Sequence, residues 1–75
     1  MNPFITLTST DGGSTTINIH NIVCYEPKVK SKTGQPYTYI VLNAGNTVTR
    51  EVRETLEEVS KIIQNVYYQI GVGEP

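Results

Sequence analysis

The stretch TLEEVSKIIQNVYYQI, residues 55–70, decides the fold. It opens on Thr55 and, three residues later, Glu58. That spacing is a capping box: the threonine hydroxyl accepts from the Glu58 N–H, and the glutamate reaches back to the Thr55 N–H. Leu56, Val59, Ile63, Val66 and Ile70 then recur at alternating steps of three and four, with Ile62 beside them. At about 100° per residue these positions form one apolar stripe on an amphipathic helix. Glu57, Lys61, Gln64, Asn65 and Tyr68 take the far side, and Glu57 stands four residues before Lys61, the favourable orientation for an ion pair. Gly71 supplies a stop and leaves residues 71–75 as a tail. Such a stripe needs an apolar surface to cover, and residues 4–53 read as the sheet that supplies it.

Residues 4–10 alternate with period two, placing Ile5 and Leu7 on one face and Phe4, Thr6 and Thr8 on the other. Asp11-Gly12-Gly13 marks a hairpin turn, and residues 15–19 return with Ile17 and Ile19 inward. His20-Asn21 breaks the pattern as a short turn or bulge. Residues 22–26 make a third strand that Pro27 ends. Its parity stays open between Ile22/Cys24 and Val23/Tyr25. Residues 28–36, KVKSKTGQP, form the polar, partly mobile end of a long hairpin. In residues 37–42, Ile40 and Leu42 face one way and Tyr37, Tyr39 and Val41 the other. After the turn Asn43-Ala44-Gly45-Asn46, residues 47–53 close the sheet with Val48 and Val52 inward.

The expected fold is therefore α+β: one domain over residues 1–75, with a five-stranded antiparallel meander followed by a C-terminal helix packed on one face. One helix covers one face only. The uncovered face presents Phe4, Tyr37, Tyr39 and Val41 among threonines, an apolar patch suited to an interface.

Seventy-five residues bury only about 60% of the surface of the unfolded chain. Chains of this size lean on metals, disulfides or partners. Cys24 is the single cysteine and His20 the single histidine, too few for an internal disulfide or a structural zinc shell. Association is the remaining aid, and a homodimer is the favoured form. One cysteine and no charged leader before an apolar run point to a reducing, cytoplasmic setting, and no apolar run is long enough for a membrane span.

In outline the chain resembles the FlbD-like family of small flagellar and swarming-motility proteins. The resemblance is carried by Ile5, Leu7 and Thr8 with Asp11-Gly12, by Ile19 and Asn21-Ile22, by Tyr39, Ile40, Leu42 and Gly45, and by Val52, Glu54-Thr55 and Glu57-Glu58-Val59 leading into the helix. The hairpin at residues 28–36 is longer than that family's, and Tyr67, Tyr68 and Ile70 extend its helix. The resemblance implies a bacterial or phage-type accessory protein with no chemistry of its own and no catalytic residues.

No phosphate-binding loop, dinucleotide fingerprint, nucleophile elbow or zinc spacing occurs, so neither an enzyme nor a cofactor is expected. Cys24 has His20 four residues away, on the same face of a strand, but no third partner to orient it as a base, and it reads as a buried or half-buried thiol. His20 reads as a turn residue bonded to the backbone. The leading expectation is a non-catalytic protein-interaction module that self-associates. The alternative is a nucleic-acid-binding accessory protein that uses Lys28, Lys30 and Lys32 with Tyr25 and neighbouring tyrosines as stacking platforms. The net charge of −1 gives that alternative little electrostatic pull. A third class, a peptide or small-molecule binder, would use an exposed strand edge.

Overall fold

The computed structural model describes the backbone of residues 3–73 and the side chains up to Tyr68. The elements are β1 (Phe4–Thr8), β2 (Ser14–Asn18), a single 3₁₀ turn (Ile19–Asn21), β3 (Ile22–Val29), β4 (Pro36–Asn43), β5 (Thr47–Val52) and α1 (Leu56–Gly73). The chain is α+β, but the strands do not form one meander. They make two antiparallel sheets, β1-β2 and β3-β4-β5.

The split has a local cause at residues 19–21. A tight hairpin reverses the chain through residues with positive φ. The β1–β2 and β4–β5 turns have them in Gly12 (φ 102°) and Gly45 (φ 92°). Residues 19–21 have none: the Asn18 side chain accepts from the His20 N–H, and both flanking residues are extended, Asn18 at φ −81°, ψ 119° and Ile22 at φ −73°, ψ 120°. The chain turns a corner there, so β2 never pairs with β3. Ile19, expected at the end of a strand, lies in this corner but still points into the core.

Among the described residues, backbone bonds join the two sheets at one place. Ser9 and Val52 form an isolated antiparallel bridge. The Arg53 N–H donates to the Thr8 carbonyl at 2.7 Å and the Thr10 N–H to the Glu51 carbonyl at 3.1 Å. The end of β1 is thereby stitched to the end of β5, and the sheets fold over a shared interior.

β3 corrects the sequence reading twice. Pro27 does not end it; the strand continues to Val29 with Pro27 opposite Thr38. The tip bond from the Lys30 N–H to the Gln35 carbonyl and the register place the bonded pairs at Lys28/Tyr37 and Glu26/Tyr39. The imide nitrogen of Pro27 therefore faces the free edge, where no ladder bond is lost. The parity left open is settled by a bulge between Ile22 and Cys24. The extra residue lets both Ile22 and Tyr25 pack on the core, while Val23 and Cys24 are exposed.

The core consists of Ile5, Leu7, Ile17, Ile19, Ile40, Leu42, Val52, Val59 and Ile63. It is closed on one side by α1 and on another by the β1–β2 hairpin. The capping box forms as its spacing requires: Thr55 N–H to Glu58 Oε1 at 2.9 Å, and Glu58 N–H to Thr55 Oγ1 at 3.3 Å. Val59 and Ile63 are buried, while Leu56, Ile62 and Val66 are half-buried. Gly71 does not stop the helix, which runs to Gly73. A glycine ends a helix by turning left-handed, and the left-handed glycines described are Gly12, Gly34 and Gly45. The side chain of Ile70 and residues 74–75 of the expected tail lie outside the described residues. Among the described residues the one ion pair is Glu26–Lys28, so Glu57 and Lys61 do not close theirs.

Candidate interaction face

The register of β3-β4-β5 determines which side chains share its outer face. Cys24 stands opposite Val41, Glu26 opposite Tyr39 and Lys28 opposite Tyr37. On the other flank Thr49 stands opposite Val41 and Glu51 opposite Tyr39. Residues directly opposite in a ladder point the same way, so Tyr37, Tyr39 and Val41 form a central ridge between polar and charged neighbours. All three are half-buried. The alternate residues of β4, Thr38, Ile40 and Leu42, are buried on the inner face, where α1 and the hairpin pack.

Phe4 does not join this ridge. It belongs to the other sheet, is 51% exposed, and lines a cleft of about 240 Å³ with Ile17, Leu42, Val48 and Arg50 at the mouth between the sheets. The Arg50 guanidinium folds back there and donates to the Thr49 carbonyl at 2.8 Å.

The lysines and tyrosines are likewise divided. Lys28 shares the outer face with Tyr37 and Tyr39, its ammonium 4.9 Å from the centroid of the Tyr39 ring and 3.6 Å from Glu26 Oε1. It is thus held over an aromatic face by a cation–π contact. Lys30 follows two residues later at the hairpin tip, and Lys32 lies in the turn; both are exposed. Tyr25 points the other way, its hydroxyl 3.1 Å from Ser60 Oγ on α1. Strand alternation from Cys24 to Val29 therefore sets Tyr25 on the face opposite Lys28.

Cys24 is exposed rather than buried or half-buried as its size suggested, again because of the bulge. His20 sits in the corner with its ring edge-on to Tyr67, centroids 6.4 Å apart and planes at 76°. The backbone bond in that turn uses the Asn18 side chain and the His20 N–H, not the imidazole. Among the described residues no three His, Cys, Asp or Glu side chains gather to hold a metal ion, and no helix is long and apolar enough to cross a membrane.

Two polar residues central to the architecture went unread in the sequence. Thr38 is fully buried, and its hydroxyl donates to the Glu54 carbonyl at 2.7 Å. Its inward parity with Ile40 and Leu42 was the available signal. Glu54, between β5 and α1, accepts from the N–H of Thr8, 46 positions earlier, a contact that no local pattern announces.

Compared with protein-family models, with curated proteins and with solved structures, the chain matches none.

Proposed function

We propose that the chain is a non-catalytic interaction module that pairs with a second copy of itself through the outer face of β3-β4-β5. The observation that carries this is the placement of Tyr37, Tyr39 and Val41 on the face away from both α1 and the β1–β2 hairpin. A ridge of tyrosine and valine inside a polar rim has the composition of an interface centre, where aromatic anchors carry most of the energy. Glu26, Lys28 and Glu51 supply both signs of charge around it. A chain this short also gains from association. The accessory role implied by the resemblance to FlbD-like chains supports the same function.

The test is the mass in solution, by size-exclusion chromatography with light scattering. At high micromolar concentration the expected mass is that of a dimer, and Tyr39→Ser returns it to a monomer without changing the far-ultraviolet circular dichroism. A monomer at every concentration overturns the proposal. The nucleic-acid alternative draws on Lys28 and Lys30 sharing this face with Tyr37 and Tyr39. It predicts retention on heparin that falls steeply with salt and disappears when Lys28, Lys30 and Lys32 become glutamate.

A further inference from the structure

A polar pocket lies beyond the end of the interaction face, where three parts of the chain distant in sequence come together. Thr10 reaches it from the β1–β2 turn, Lys30, Gln35, Pro36 and Tyr37 from the β3–β4 hairpin, and Arg53 from the junction of β5 and α1. Its volume is about 320 Å³. Among the described residues no carboxylate lines it. Of the nearby acids, Asp11 accepts from the Gly13 N–H at 3.0 Å and feels the Arg53 charge, Glu54 accepts from the Thr8 N–H, and Glu51 lines the adjoining depression that Lys30, Lys32 and Tyr37 also line. Neither Lys30 nor Arg53 belongs to the one ion pair among the described residues. Arg53 lies against the β1–β2 turn, its Nη2 3.8 Å from the place a β-carbon on Gly12 would occupy.

We infer that this pocket binds the phosphate group of a small anion, held between Arg53 and Lys30 with the Thr10 and Tyr37 hydroxyls and the Gln35 amide as further donors. Two cations match the charge of a phosphate monoester, about −1.5 to −2 at neutral pH, better than the single charge of a carboxylate. The arginine fork presents parallel N–H groups to two phosphate oxygens, and the lysine adds a point charge. The volume falls at the lower end of the range of roughly 300–1,000 Å³ for small-molecule sites, with room for a modest organic body beside the phosphate.

The experiment is a titration of the ¹⁵N-labelled chain, followed by amide chemical shifts, with inorganic phosphate in one arm and adenosine monophosphate in the other, at constant ionic strength. The expected result is a saturable shift centred on Thr10, Lys30, Gln35, Tyr37 and Arg53. The midpoint should rise about tenfold in Lys30→Gln and in Arg53→Gln, and by less in Arg53→Lys, which keeps the charge and loses the fork. Tighter binding of the nucleotide identifies an ester as the ligand class, and equal binding identifies the free anion; either supports the pocket. Shifts that never saturate, that spread equally over Lys28, Lys32 and Lys61, or that survive both glutamine variants overturn it. Lys30→Gln lies at an exposed hairpin tip and keeps the test open if Arg53→Gln fails to fold.

Discussion

The main-chain N–H of Thr8 donates to both carboxylate oxygens of Glu54, at 2.9 and 3.1 Å. This ties the last residue of β1 to the segment that enters α1, beside the Arg53–Thr8 backbone bond. The first strand and the entry to the helix thus share an anchor beside the backbone bonds that join the two sheets. Glu54→Ala leaves a part-buried N–H without its acceptor, a loss of about 1–3 kcal/mol. Urea unfolding should show the midpoint falling in that proportion with the slope unchanged, and an unaltered midpoint would show that the clasp contributes nothing.

Thr38 acts from the opposite side of the same junction. Its hydroxyl is fully buried and donates to the Glu54 carbonyl at 2.7 Å. Thr38→Val has nearly the same shape but leaves that carbonyl unpaired, at a cost of roughly 1–2 kcal/mol. Because Thr38 and Glu54 are in contact, the double variant Thr38→Val with Glu54→Ala should depart from the sum of the single effects. Strict additivity in thermal unfolding would mean that the two bonds act independently.

The helix gives a sharper contrast between neighbouring apolar positions. Ile63 is buried at 8% exposure, and aspartate there places an unpaired charge against the sheet. Leu56 is only half-buried at the first helical position. Ile63→Asp should abolish the cooperative transition, while Leu56→Asp should leave a folded protein whose new carboxylate sits near the favourable N-terminal end of the helix dipole. Circular dichroism melts of the two variants check this, and equal damage from both would contradict the packing.

What the sequence made legible was whatever repeats over a few residues. The stripe through Val59 and Ile63, the capping box of Thr55 and Glu58, the alternation of Ile5 and Leu7, and the outward Tyr37, Tyr39 and Val41 all follow from periodicity or cap chemistry, and all stand in the fold. What escaped depended on single residues out of period. The bulge at Ile22/Cys24 turned both Ile22 and Tyr25 to the inner face and left Cys24 outside, and the corner at residues 19–21 parted Phe4 from the tyrosines. Arg53 and Lys30 come together through the pairing of distant strands, which no local spacing encodes.

Asp11 sets a pH dependence. Its carboxylate is held below the ordinary value of 3.8, first by the Gly13 N–H, then by the Ser9 side chain, with the Arg53 charge adding to both. A pKa lower in the folded chain means that ionised Asp11 stabilises the fold above the unfolded value, and that this contribution disappears as pH falls through the folded one. The difference in melting temperature between the wild type and Asp11→Ala should therefore be present at pH 7 and shrink below about pH 4. A difference that stays constant from pH 7 to pH 2 would assign the effect to turn geometry alone.

Pro27 sits in the outermost strand of β3-β4-β5, with its nitrogen turned to the free edge. An ordinary residue there would present an N–H beside the exposed valines at 23 and 29, 62% and 64% accessible. Unpaired edge groups next to apolar side chains recruit further strands, and a proline at the edge removes one donor from that template. Pro27→Thr restores the donor with a residue of high strand propensity, so the fold should persist while aggregation on mild heating increases. The light-scattering onset of the variant, compared with the wild type at equal concentration, decides the matter. An onset at the same temperature or above it would mean that the edge is protected by something other than this proline.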